Sequence, residues 1–282
     1  MSSAPAAARN NTPLGIIAGS GRLPAQLVET CKNNKRPVFV LAFQDTTDPE
    51  TYMHVPHAIV RIEAVGEALD HLRNAGVVEL VMAGKVRRPS LIGLRPDKTT
   101  AKLIAHMGSS FFTGDNALFT SLVTFLEGEG FKIVGADQVM DELVTPEGTL
   151  GRIKPTAQNL ADIAKGMSIA KALGRLDIGQ AVIVENNYVL GVEAAEGTDA
   201  MIIRCAGLKN EERGGVLVKA KKPLQEARVD LPAIGPATIE NIYAAGLMGV
   251  AVEAGGSLIL DRTQVIARAD KLGIFVVGVR HA

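Results

Sequence analysis

The first half of the chain alternates short, wholly apolar runs with stretches of helical spacing. Leu14-Gly15-Ile16-Ile17-Ala18, Val38-Phe39-Val40-Leu41 and Leu80-Val81-Met82-Ala83 are apolar throughout, and the first and third stop at glycines. Between them, residues 23–31 read as helical, and Val65, Leu69, Leu72 and Ala75 recur at spacings of 3 and 4, the mark of a helix with one buried face. His57 to Ile62 is a further strand candidate. Strands without polar alternation, separated by helices, predict a parallel sheet covered on both faces. The expectation is an α/β chain whose residues 14–150 form a Rossmann-like N-terminal domain. Asp115 to Glu129 continues the series as a helix, with Asp115 as cap and Leu118, Leu122 and Phe125 facing a core, and Phe131 to Val134 adds a strand.

The second half has a different rhythm. Thr145-Pro146-Glu147-Gly148 and Lys154-Pro155 interrupt the pattern and suggest a boundary near residue 150. Ala157 to Leu173 predicts a helix ending at Gly174. Ala181 to Val192 reads as strand, turn and strand about Asn186-Asn187, and Val250 to Leu260 repeats that arrangement as a second hairpin. Hairpins mixed with helices predict a C-terminal α+β domain with a mixed sheet over residues 151–282. Residues 1–13 have the Ala/Ser/Asn character of a flexible tail.

Composition narrows the function classes. Hydrophobic residues make up 47% of the 282, enough for substantial cores, and 30 basic residues balance 30 acidic ones. That balance argues against a dedicated nucleic-acid binder. No stretch longer than 12 residues lacks a charged side chain, well short of the ~18 apolar residues of a membrane span. Two cysteines, Cys31 and Cys205, do not make a disulfide framework. A soluble cytoplasmic protein is the expectation.

Three places carry candidate chemistry. Gly19-Ser20-Gly21 follows a strand and precedes a helix, where backbone amides can approach a phosphate. The dinucleotide fingerprint fails there, because Pro24 occupies its third glycine position. Lys85 opens a basic stretch with Arg87, Arg88, Arg95, Lys98 and Lys102, placed after a strand end where α/β sheets bind ligands. In the second half, Glu193, Glu196, Thr198 and Asp199 cluster around Gly197, with a helix cap as the structural reading of Thr198 or Asp199. Lys219, Lys221 and Lys222 lead into the proline-bounded segment 223–232, which holds Gln225, Glu226, Arg228 and Asp230; in an extended course Arg228 and Asp230, two positions apart, point to one side. The five histidines show neither H-x-H nor H-E-x-x-H spacing, which disfavours zinc and leaves an oxygen-ligated ion such as Mg²⁺.

Four blocks in order then give a resemblance that runs from Leu14 to Val279. They are Ala18-Gly19-Ser20-Gly21-Arg22-Leu23-Pro24, Gly174-Arg175-Leu176-Asp177-Ile178-Gly179-Gln180, Glu193-Ala194-Ala195-Glu196-Gly197-Thr198-Asp199-Ala200-Met201, and Lys222-Pro223 through Pro232-Ala233-Ile234-Gly235. The sequence resembles the UDP-2,3-diacylglucosamine pyrophosphatases of lipid A biosynthesis, the two-domain type that directs water to the α-phosphorus. Ser20 stands where glycine is frequent and Glu226 where aspartate is frequent. The resemblance implies a hydrolase that yields UMP and 2,3-diacylglucosamine 1-phosphate (lipid X) and depends on Mg²⁺ or Mn²⁺. It makes Asp230 critical, as metal ligand or general base, and charge matching makes Lys222 and Arg228 the candidate cations for neutralising the diphosphate. Gly19, Ser20, Gly21, Lys85, Glu196, Thr198, Asp199 and Gln225 are the expected substrate contacts. The partners it implies are a lipid-linked nucleotide sugar and transient contact with the inner-membrane surface, with a homodimer left open. Two other classes compete: an NAD(P)-binding oxidoreductase with Asp45 on the ribose, and a non-catalytic nucleotide-sugar-binding module.

Overall fold

The computed structural model describes residues 11–86, 97–108, 110, 114–223 and 226–280. They fall into two compact units. One comprises the described residues up to Asp141 together with Ala227–Val229; the other comprises those of Glu142–Glu226 and Asp230–Ala282.

The first unit is built on five parallel strands in the order β3-β2-β1-β4-β5: His57–Val60, Val38–Phe43, Leu14–Ala18, Glu79–Ala83 and Lys132–Ile133. Helices α1 (Arg22–Asn33), α2 (Val65–Asn74), α3 (Lys98–Met107) and α4 (Asp115–Gly128) lie between these strands along the chain, and the short α5 (Ala136–Val139) follows β5. Leu14, Ile16, Ala18 and Leu80 are wholly buried, as strands covered on both faces require. Leu69 and Leu72 of α2, Leu103 and Met107 of α3, and Phe125 and Leu126 of α4 pack with Leu41, Leu80 and Ile133. Asp97 caps helix α3, and its carboxylate accepts the Thr100 N–H at 2.6 Å and the Gly66 N–H at 2.8 Å, so one side chain satisfies one otherwise unpaired donor at the start of each of two helices. The cap position of α4 is Gly114, one residue before the expected Asp115.

The second unit has a six-stranded mixed sheet in the order β6-β13-β11-β9-β7-β8. Its centre is parallel: β9 (Val216–Lys219), β11 (Gly249–Glu253) and β13 (Phe275–Val279). Antiparallel strands flank it: β6 (Gly148–Leu150) on one side, and β7 (Ala181–Glu185) with β8 (Tyr188–Val192) on the other. The period of two along each strand sorts the core. Ala181, Ile183, Leu217, Val250 and Val252 face α7 (Gly197–Ala206), α8 (Pro236–Ala244) and α9 (Arg262–Leu272). Val182, Val184, Val216, Val218 and Ala251 face α6 (Ala157–Arg175). Thr156 caps α6 by accepting the Asn159 N–H at 3.2 Å.

One expected hairpin forms and the other does not. The chain turns at Asn186 and Asn187, both with positive φ, and β7 pairs antiparallel with β8. At residues 250–260, by contrast, β11 already has β9 and β13 on its two edges. The apolar pair after the turn, β12 (Leu258–Ile259), therefore pairs with β10 (Ala233–Ile234) in a separate two-stranded parallel sheet. Apolar runs marked both strands but not their partners.

Candidate active site

In the first unit the structure brings Gly19, Ser20, Gly21 and Lys85 together. Ser20 and Lys85 exchange backbone hydrogen bonds of 2.9 Å each, Ser20 Oγ donates to the Lys85 carbonyl at 3.1 Å, and the Gly19 N–H donates to the Ala83 carbonyl at 2.8 Å. This close lacing requires glycines. A Cβ on Gly19 would lie 2.5 Å from the Lys85 carbonyl oxygen, and one on Gly84, whose φ is 89°, would lie 2.6 Å from that of Ser20. The two loops leave the carboxyl ends of β1 and β4, where the strand order reverses. Asp48, absent from the sequence expectations, reaches the Gly21 N–H at 3.4 Å. Of the basic stretch, Lys102 pairs with Glu129 at 2.7 Å, and Arg87, Arg88 and Arg95 lie outside the described residues.

Arg228 also belongs to this unit. Its guanidinium contacts Glu127 of α4 at 2.6 Å, while Val229 packs against the core. Residues 227–229 form a turn, and the Asp230 N–H donates to the Glu226 carbonyl at 3.1 Å. An extended course, in which Arg228 and Asp230 would share a side, is not what the chain adopts. Gln225 lies outside the described residues.

In the second unit three of the four sequence blocks converge where β9 ends. Lys222 is buried, and its Nζ lies 2.6 Å from Asp177 Oδ1. Asp177 stands in the turn after α6 with a φ of 53°. Gly174, in the last turn of α6, lies directly under Lys222: a Cβ there would be 2.9 Å from Lys222 Cα. The Ala220 N–H donates to the Gln180 carbonyl at 3.0 Å, and the Gln180 N–H donates to Glu193 Oε2 at 3.1 Å. Glu193 is buried, and its other oxygen accepts the Thr198 hydroxyl at 2.6 Å. Buried Lys219, the last residue of β9, donates to the Ala233 carbonyl at 3.2 Å, which ties the strand end to the segment after Asp230.

Thr198 thus joins the cluster, whereas Glu196 and Asp199 do not turn into it. Glu196 is the cap residue of α7 and pairs with Arg204 at 2.7 Å; the Arg204 hydrogen bond holds its carboxyl below the usual range. Asp199 accepts from Asn241 at 2.9 Å. Neither Thr198 nor Asp199 caps α7.

Sequence reasoning missed Lys171 and Glu253. Lys171 Nζ sits 2.7 Å from both Glu253 oxygens and 3.0 Å from the Lys221 carbonyl, while Glu253 Oε2 accepts the Lys221 N–H at 2.7 Å. The two residues are 82 positions apart, one on a helix and one at a strand end, so no local spacing could reveal them.

Among the described residues, no three His, Cys, Asp or Glu side chains form a group able to hold a metal ion, and no helix is long and apolar enough to cross a membrane. The arrangement instead offers buried cations with fixed partners beside an aspartate-bearing segment. Such a set suits a substrate with concentrated negative charge.

Two families match this chain: the LpxI N-terminal domain over residues 13–143 and the LpxI C-terminal domain over residues 146–277. The UDP-2,3-diacylglucosamine pyrophosphatase LpxI of Caulobacter vibrioides is 44% identical over 272 residues, covering 94% of this chain and 97% of its own. Two solved structures show only faint likeness. N5-carboxyaminoimidazole synthase from Aspergillus clavatus, with ADP and 5-aminoimidazole ribonucleotide, is 15% identical at a TM-score of 0.24, covering 72% of this chain and 46% of its own. The CobK precorrin-6A reductase is 12% identical at a TM-score of 0.30, covering 96% and 90%. Scores this low carry no argument about this chain.

Proposed function

This chain belongs to the LpxI family, and from that premise we propose that it hydrolyses the pyrophosphate of UDP-2,3-diacylglucosamine in lipid A biosynthesis. Water attacks the α-phosphorus, giving UMP and 2,3-diacylglucosamine 1-phosphate. The observation that carries the reading is the convergence of residues 174–180, 193–198 and 219–223 on buried Lys222, in a chain 44% identical to a pyrophosphatase along nearly its whole length.

Hydrolysis of a diphosphate demands that negative charge be matched where it develops and that one water be oriented. Lys222 supplies a cation whose direction is fixed before substrate arrives: Asp177 holds the ammonium and Gly174 lets α6 approach its backbone. Asp230 supplies the carboxylate that orients water, or that holds a metal with the substrate's oxygens.

A preassembled carboxylate cage does not fit the described residues. One carboxylate working with phosphate oxygens does fit, because Mg²⁺ is commonly held in that way. Asp230 would be its protein ligand, and the ion would add neutralisation of the diphosphate charge.

The first unit we read as Rossmann-like. Its strand order sets Gly19–Gly21 and Lys85 outside the carboxyl ends of the strands at the point of reversal, the usual ligand position in such sheets. On this reading they form a turn suited to a phosphate or nucleotide. Leu176 and Ile178, 70% and 47% exposed on either side of Asp177, offer apolar contact to the acyl chains or the bilayer that carries them. Sedimentation with phospholipid vesicles tests this: Leu176→Ser with Ile178→Ser should lower the bound fraction, and equal binding would refute it.

Incubation with UDP-2,3-diacylglucosamine and Mg²⁺, followed by product identification, tests the function. UMP and the sugar 1-phosphate are expected. Substrate that is bound yet stays intact would make the chain a binding module instead.

A further inference from the structure

Ion pairs are weak stabilisers, since screening where they are exposed and desolvation where they are buried offset most of their attraction. The Lys171–Glu253 pair, with side chains 13% and 16% exposed, therefore calls for a role other than stability. Its remaining hydrogen bonds supply one. Lys171 Nζ donates to the Lys221 carbonyl at 3.0 Å, and Glu253 Oε2 accepts the Lys221 N–H at 2.7 Å. The pair thus grips both polar groups of one residue, the one directly before Lys222.

Each end of the grip is itself anchored. Lys171 stands on α6, one turn before the Gly174 that underlies Lys222. Glu253 ends β11, the strand hydrogen-bonded to β9, and its backbone carbonyl accepts the Ser257 hydroxyl at 2.5 Å. Upstream, the Ala220 N–H is held by the Gln180 carbonyl. Without the pair, Lys221 would be the unanchored link between the end of β9 and Lys222.

We propose that Lys171 and Glu253 are positioning residues for Lys222: a mutually neutralised pair that fixes the Lys221 peptide so that Lys222 meets the diphosphate in register. Because their charges cancel, they add no net charge that competes with Lys222 for the substrate. Register errors of about 1 Å cost on the order of 10²-fold in rate, so the loss should appear in kcat more than in KM. The inference deepens the hydrolase reading and rests on Lys222 acting at the diphosphate.

The test replaces the pair by an apolar one of similar shape, Lys171→Met with Glu253→Met, which leaves no unpaired charge. Turnover of UDP-2,3-diacylglucosamine should fall about 10- to 100-fold with KM within about threefold, and Glu253→Gln, which keeps an acceptor for the Lys221 N–H, should recover most of the rate. In a Lys222→Ala background the double variant should cause no further loss, as expected of groups that act through one another. Wild-type turnover in the folded double variant, or an undiminished loss in the Lys222→Ala background, would overturn the proposal. Deuterium exchange of the peptide spanning residues 219–223 reads the grip without turnover, so it stands even if the hydrolase reading fails. Faster exchange in the double variant is expected, and unchanged exchange would overturn the grip. Should the double variant not fold, Glu253→Met against Glu253→Gln makes the same comparison in both assays.

Discussion

Replacing Gly174 by alanine isolates the contact between helix α6 and Lys222. In a helix the change alone is favourable by about 1 kcal/mol, because alanine loses less backbone entropy than glycine. Here the added Cβ would lie 2.9 Å from Lys222 Cα, 3.1 Å from Pro223 Cδ and 3.2 Å from Lys222 Cβ. Carbon atoms prefer about 3.5–4.0 Å, so the Lys222 backbone must retreat by roughly 0.6–1 Å. Overpacking costs about 1–3 kcal/mol, which the propensity gain partly offsets, leaving a net loss of about 0–2 kcal/mol. The rate should suffer far more, by about 10- to 100-fold in kcat/KM for a displacement of that size. The assay pairs UMP release with thermal unfolding, and Gly207→Ala serves as control, since a Cβ there meets nothing within 4 Å. A folded Gly174→Ala protein with turnover within twofold of wild type would refute the reasoning.

Other consequences are as direct. Asp230→Ala should lower kcat by orders of magnitude while substrate still binds, measured by turnover and by equilibrium binding; near-normal kcat in a folded variant would remove Asp230 from the mechanism. Chelator should abolish hydrolysis and added Mg²⁺ or Mn²⁺ restore it, because one carboxylate with phosphate oxygens holds an ion weakly; undiminished turnover in excess chelator would contradict this. Asp97→Ala should cost about 1 kcal/mol at neutral pH by removing the cap of α3. Burial pushes the Asp97 carboxyl up, but hydrogen bonds from Thr100, Gly66 and Thr99 outweigh it and hold it below the usual range. The stabilisation is therefore complete above the unfolded value of about 3.9 and fades as pH falls through the lower folded one. Unfolding temperatures of the two proteins should converge in acid, and a pH-independent gap would refute the assignment.

What the sequence disclosed follows the range of the signal. Runs such as Leu14–Ala18 and Leu80–Ala83 announced strands buried on both faces, and the Asn186-Asn187 turn announced its hairpin, because both signals are local. The partner of Leu258–Ile259 depended on which edges of the sheet were already filled, a property of the whole fold. The candidate site divides along the same line. Lys222 and Asp177 stood in separate sequence blocks, 45 residues apart, and only α6 and β9 bring them into one ion pair. Glu196 and Asp199 were grouped with Thr198 by proximity, yet the helix that starts at Gly197 turns them toward Arg204 and Asn241. Arg228 and Asp230 looked like neighbours on an extended segment, but residues 227–229 form a turn.

Hydrolysis in ¹⁸O-labelled water tests the central claim most directly, because it reports both that water is the nucleophile and which phosphorus it attacks. The enzyme, Mg²⁺ and UDP-2,3-diacylglucosamine are incubated in the labelled solvent, and both products are weighed by mass spectrometry. The account predicts one ¹⁸O atom in UMP and none in 2,3-diacylglucosamine 1-phosphate. Label in the sugar phosphate, or in neither product, would contradict it.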